Sequence, residues 1–211
     1  MQSLKLYASP FGGSAIIEAA LTLCGLEYQN IDEDFEKLDE CEPLKAINPL
    51  CQIPTLVLPD GAVMSESAAI VLYLGAQYPG AGLVPREETA AYREFLRWLI
   101  FLVANVYPTF TYGDFPQRWV SGKAAQDELV AATNARRKAH WRTLETVASD
   151  ASWFLDCGFT AIDLYIWVMS HWQPRRAWFR RECPGLLTIA EALDADARLQ
   201  SVDARNFAGR K

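Results

Sequence analysis

The stretch 48–74, NPLCQIPTLVLPDGAVMSESAAIVLYL, leaves the backbone little choice. Ile53-Pro54 stands directly before the apolar run Thr55-Leu56-Val57-Leu58, which reads as a short strand. Pro59-Asp60-Gly61 is a turn signature, because glycine takes a positive φ without steric cost. Ala62-Val63-Met64 returns as a second strand, and Ser65-Glu66-Ser67 supplies the polar residues that open helices. Apolar Ala68/Ala69 and Val71/Leu72 then recur at helical spacing. A proline ahead of a strand donates nothing to the ladder, so its neighbour's backbone groups are left to pair with an extended peptide. The helix start at Ser67 offers unpaired N–H groups and the positive end of a dipole, a socket for a carboxylate. Glu66 beside it can take an ammonium group. A small peptide carrying both termini suits such a segment.

The segment resembles the glutathione-binding half of the cytosolic glutathione S-transferases, of bacterial type, whose pattern is roughly Asn-Pro-x-Gly-(Gln/Lys)-Val-Pro followed by Glu-Ser-x-Ala-Ile. Here it is met by Asn48, Pro49, Gln52, Ile53, Pro54, Glu66, Ser67, Ala69 and Ile70, with Cys51 where the family usually has glycine. The resemblance extends over nearly the whole chain. It implies that Pro54 is cis, that Ile53 pairs with the cysteinyl backbone of glutathione and that Gln52 contacts the same backbone. It also implies that Glu66 and Ser67 hold the γ-glutamyl end.

A formal charge of −6 over 211 residues argues against nucleic acid, whose phosphates need a basic footprint. Arg175, Arg176, Arg180 and Arg181 cluster, but near a helix end such a group reads as a solvated face. Cys24, Cys41, Cys51, Cys157 and Cys183 are scattered and odd in number, and with only His140 and His171 they make no metal-binding spacing. Free thiols in a reducing cytoplasm are expected, with no metal cofactor. No room for a signal peptide is seen before the first strand. The longest apolar runs, such as Trp98 to Ala104, fall well short of the roughly 20 residues that span a bilayer.

In chain order, Leu4-Lys5-Leu6-Tyr7-Ala8 is a first strand, and Ser14 an N-cap for a helix through Cys24 with Gly25 as its stop. Tyr28-Gln29-Asn30-Ile31 is a second strand, followed by an irregular helix from Phe35 to Ala46. The order βαβαββα fits an α/β, thioredoxin-like domain over 1–78, with a linker over 79–86. Beyond it strand signals vanish, and 87–211 reads as an all-α domain. Ala91, Phe95, Leu96, Leu99, Ile100 and Val103 form one stripe, Pro108 is expected to kink or end that helix, and a second helix is expected over Lys123 to Val147. Thr160 and Asp163 form a capping box with Phe159 and Leu164 as its hydrophobic staple. Helices over Leu186 to Leu193 and Ala197 to Val202 finish the chain.

The family reaction turns the glutathione thiol into a thiolate. A free thiol has a pKa of about 8.5, and each unit of lowering needs about 1.4 kcal/mol of preferential thiolate stabilisation. A hydrogen-bond donor and a helix N-terminus aimed at the sulfur supply it. By resemblance the donor lies in the loop Ser9 to Ser14, yet the serine of the serine-type classes falls on Phe11 and the cysteine of the beta-type class on Gly13. Neither side chain donates. Ser14, Ser9 and Tyr7 remain as candidates, together with the backbone N–H groups of Gly12-Gly13-Ser14. Cys51 reads as a small buried residue or, if exposed, as a partner for a mixed disulfide with glutathione. An aromatic group, Tyr107, Phe110, Tyr112, Phe115 and Trp119, joined by Phe11, suits a hydrophobic electrophile, with core and dimer packing as the alternative use. The resemblance implies a cytoplasmic homodimer that conjugates glutathione in detoxification. The competing expectations are a transferase-fold module without catalysis, and a glutathione-dependent isomerase or disulfide reductase.

Overall fold

In the computed structural model of the chain, residues 3–148 and 152–209 are described, and the outer limits 1 and 211 of the expected domains lie outside them. Four strands make one mixed sheet in the order β2-β1-β3-β4: β1 Leu4–Ala8, β2 Tyr28–Asp32, β3 Thr55–Val57 and β4 Val63–Met64. Leu6 of β1 pairs in parallel with Asn30 and antiparallel with Leu56, which pairs in turn with Met64. The alternation of β1 buries Leu4, Leu6 and Ala8 on one face and leaves Lys5 and Tyr7 half-exposed on the other.

Helix α1, Ser14–Leu23, has every residue from Ser14 to Leu21 buried. A single amphipathic stripe does not describe it, because it lies against α3, Ser67–Gln77, on one side and against the helical part of the chain on another. Between β2 and β3 runs a short 3-10 turn over Phe35–Glu40 and then α2, Glu42–Ile47. This is the thioredoxin-like half.

The remainder is helical. It comprises α4 Ala90–Phe101, α5 Tyr107–Asp114, α6 Lys123–Glu145, α7 Ala161–Ser170, α8 Arg176–Glu182, α9 Pro184–Asp194 and α10 Gln200–Phe207. Helix α7 is buried along its whole length, and one core runs without a break from the sheet through α1 into α7 and α9. Its start carries the capping box: the Asp163 carboxylate accepts from the backbone of Thr160 (2.7 Å) and of Phe154 (2.8 Å). Burial outweighs these bonds and raises its pKa to about 6.

Two details of the long helices differ from the sequence reading. Ile100, placed in the apolar stripe, is 51% exposed, whereas Phe95 and Leu99 are fully buried. Pro108, expected to kink or end its helix, disturbs it without ending it. Its ring would press on the carbonyl four residues back, and the chain answers with a π-helical turn over Leu102–Val106, in which the Tyr107 N–H reaches the Leu102 carbonyl. Helix α5 then continues with Pro108 in its first turn, where no N–H is missed.

Candidate functional site

The loop 9–14 is a closed knot of backbone bonds. Gly12 N–H donates to the Ser9 carbonyl at 2.9 Å, and the Ser14 hydroxyl accepts from Ser9 N–H (3.1 Å) and donates to the Ser9 carbonyl (3.2 Å). Ser14 therefore does not cap: Gly13 holds the N-cap position, and Ser14 is a fully buried first helical residue whose hydroxyl serves the loop. Ser9 is buried at the strand end. Tyr7 sits on the sheet face away from α1; burial, then the nearby Cys41 and Glu33, raise its pKa.

Phe11 takes a positive φ of 68°, and its backbone is held from far along the chain. Its N–H donates to the Asn206 side chain (3.2 Å), and its carbonyl accepts from the Trp172 indole (2.9 Å). Its half-exposed ring meets the buried Phe207 edge-on at 6.1 Å, which ties the loop to α10.

The second strip is the 48–67 segment. Asn48 is buried and donates to the Gln52 carbonyl (3.1 Å) and to the Thr55 hydroxyl (2.9 Å), which itself donates to the Gln52 carbonyl (2.7 Å). This network shapes a turn in which Cys51 adopts φ 50°, the conformation that explains a preference for glycine there. Cys51 is half-exposed, not buried. Ile53-Pro54 is cis, and Ile53 lies just beyond the last ladder pair, Tyr7 with Thr55. Glu66 is exposed at φ 65° and ψ 104°, a backbone region that non-glycine residues rarely occupy outside functional turns.

Ser67 opens α3, and its hydroxyl oxygen accepts a 2.8 Å bond from Tyr165 of α7, 98 residues away. That bond uses the Tyr165 proton, so the Ser67 hydroxyl keeps its own proton to donate, beside the N–H groups of the helix start. Nothing in the sequence around Tyr165 announces this role.

These strips lead into the N-termini of α1 and α3. The sequence profile described as the N-terminal domain of glutathione S-transferase matches residues 9–77. The uncharacterized GST-like protein YncG of Escherichia coli (strain K12) is 36% identical over 206 residues, covering 96% of this chain and 98% of that protein. The chain belongs to the glutathione S-transferase family. Glutathione S-transferase GstA of E. coli O157:H7 is 23% identical over 171 residues, 80% of this chain and 82% of its own. Among solved structures, a glutathione transferase homologue from Sulfitobacter with bound glutathione shares the fold at a TM-score of 0.85 and 24% identity, over 96% of this chain and 97% of that one.

Within this family member, the expected aromatic wall is dispersed. Phe110 is buried between Trp172 (5.0 Å, edge-on) and the Arg137 guanidinium 3.8 Å above its ring. Tyr112 packs edge-on against Trp119 (4.7 Å) and lines a separate surface groove with Pro108 and His140. Phe115 meets Phe35 at 5.8 Å, an apolar bridge between the two halves. Only Tyr107 reaches the 9–14 loop, where a side chain added to Gly13 would meet its hydroxyl. Among the described residues one carboxylate–imidazole cluster, His171, Asp194 and Asp203, has metal-like spacing, but the Arg176 guanidinium already bonds His171 (3.0 Å) and Asp194 and supplies the cation. No described helix is long and apolar enough to cross a membrane.

Proposed function

We propose that this protein is a glutathione transferase that binds glutathione along Gln52–Pro54 and Glu66–Ser67, ionises its thiol and directs the thiolate at a small hydrophobic electrophile. The observation that carries the reading is Ser67: at the start of α3, beside the N–H groups of the helix start, its hydroxyl accepts from Tyr165 and keeps its own proton to donate to a carboxylate. Glu66 beside it suits the ammonium of the same γ-glutamyl group, and Ile53 offers the backbone edge for the cysteinyl residue. The sulfur then falls toward the N-terminus of α1, where the helix dipole favours the thiolate. Its proton leaves to solvent. The thiolate forms a carbon–sulfur bond with the electrophile, which either adds it or releases a leaving group with the electron pair.

Glutathione is thus a co-substrate. The exposed Phe35 and its partner Phe115 offer apolar surface that suits an apolar second substrate. Five unpaired cysteines suit a reducing cytoplasm, and the exposed Ile100, together with Tyr112 on a groove of about 440 Å³ between α5 and α6, suits a homodimer. Detoxification by conjugation is the role this combination fits. A second reading, glutathione-dependent disulfide reduction, has the half-exposed Cys51 next to Gln52 behind it.

The test is a glutathione titration across pH, following thiolate absorbance in the ultraviolet. Saturable binding with a bound-thiol pKa near or below 7 is expected. Binding without thiolate below the free thiol's own pKa points instead to a transferase-fold module without catalysis. No binding at all rejects the proposal.

A further inference from the structure

The sequence leaves the thiol without an obvious donor, and the fold supplies one from the other half of the molecule. Gly13 has no side chain, and a Cβ built there would come closer than 3.0 Å to the Tyr107 hydroxyl oxygen, with the ring carbons Cζ and Cε1 at 3.4 and 3.6 Å. The phenolic oxygen therefore occupies the place that the γ atom of a longer residue 13 would take. Position 13 is the N-cap of α1, the spot where a helix N-terminus favours a thiolate. The hydroxyl is buried and has no hydrogen-bond partner among the described residues, a condition that costs a protein stability unless a ligand relieves it.

The ring is placed with care. Tyr165 and Trp172 hold it edge-on at centroid distances of 6.2 and 5.9 Å. The π-helical turn at Leu102–Val106 adds one residue to the helix just before Tyr107 and so rotates the following face by about one residue, roughly 100°. Such bulges are frequent at functional sites. The same two residues that hold Tyr107 also reach both strips: Tyr165 bonds Ser67 of the 48–67 segment, and Trp172 bonds the Phe11 carbonyl of the 9–14 loop.

We propose that the Tyr107 hydroxyl is the catalytic group that donates a hydrogen bond to the sulfur of bound glutathione, replacing from α5 the donor that Phe11 and Gly13 lack. The inference rests on the glutathione-transferase reading above. Burial, and secondarily the neighbouring Tyr165, raise the pKa of Tyr107 well above that of a free phenol. The group stays protonated at neutral pH and acts as a donor, not as a base. No bond is made or broken at the phenol: the thiol proton leaves to solvent, and the hydroxyl keeps its own proton while stabilising the sulfur anion.

Tyr107→Phe keeps the ring and its two edge contacts and removes only the oxygen. In the intact protein the variant should bind glutathione within about threefold of the parent, while the bound-thiol pKa rises by about one unit, a tenfold loss of thiolate below that pKa. Gly13→Ala alone should collide with the phenol and lower the melting temperature, and Tyr107→Phe should relieve most of that loss, since only ring carbons beyond 3.4 Å remain in the way. An unchanged thiol titration in Tyr107→Phe at unchanged affinity overturns the assignment and leaves the transferase reading standing. Loss of binding in Tyr107→Phe with an unaltered melting temperature also overturns it, because the residue would then hold the peptide. If the parent protein itself fails to bind glutathione, the underlying reading fails and this assignment with it.

Discussion

The two strips of the cleft are built in opposite ways. The strip proposed to hold the peptide, 48–67, is assembled from neighbours in sequence: Asn48 ties Gln52 to Thr55 within seven residues, and β3, the turn and α3 follow without interruption. The strip proposed to face the thiol, 9–14, has a local knot but takes its supports from 161 and 195 residues away, through Trp172 and Asn206. One is a local structure that needs little outside help, and the other is a loop whose conformation belongs to the whole fold. Binding and activation of the same ligand should therefore separate under mutation.

The largest expected effect lies in the non-local strip. Glu18 of α1, its side chain almost fully buried, pairs with Arg205 of α10 at 2.8 Å, and Arg205 also bonds Asp32 of β2. Burial raises the Glu18 pKa against the pull of Arg205. Arg205→Met leaves that carboxylate unpaired and should cost about 3–5 kcal/mol in chemical denaturation. A carboxyl raised in the folded state stabilises most below its unfolded pKa and loses that contribution as pH rises, so the variant's deficit should shrink toward acid pH. A deficit that stays constant from pH 7 to pH 5 would show that the Glu18 pair is not its source.

Asp163 comes next. Asp163→Ala removes the acceptor of Phe154 and Thr160 N–H and should cost about 3 kcal/mol, with glutathione affinity per folded molecule unchanged. Its folded pKa of about 6 exceeds the ordinary 3.8, so its contribution is complete below pH 4 and fades as pH rises to 6. Asp163→Asn should flatten that slope in a series of thermal melts.

The binding strip is tested by Ser67→Ala, for which glutathione affinity should fall about tenfold, the size of one hydrogen bond to a charged group. Tyr165→Phe should fall less, about threefold, because Ser67 keeps its hydroxyl but loses its orientation. Equal losses would mean that Tyr165 touches the peptide itself. The smallest effect is expected for Trp172→Phe, which frees the Phe11 carbonyl: about 1 kcal/mol of stability, and a few-fold loss of turnover with binding of glutathione preserved.

The contrast also explains what could be read from the chain alone. The strand–turn–strand–helix order of 55–77, the capping box at Thr160 and Asp163, and the fold class are short-range patterns, and they appear in the structure as the residues announce them. Ser14 was misjudged because its buried hydroxyl turns back to Ser9, a choice made by loop closure. The tie of Phe11 to α10 could not be read, because its partner, Phe207, lies near the other end of the chain. Tyr107 stood among the aromatic residues, but its relation to Gly13 depends on a π turn that Pro108 provokes and no periodicity reveals. Tyr165 was missed altogether, since its bond to Ser67 crosses 98 residues.

The bond from Phe11 to Asn206 has a consequence for the order of events in the cell. The first loop of the protein is made early but receives one of its last supports from α10. A nascent chain can thread and pair its sheet while the ribosome is still translating the helices. On the proposed reading the pocket framed by this loop is not finished until residue 206 has left the exit tunnel, so glutathione would meet a complete site only after the last helix is made.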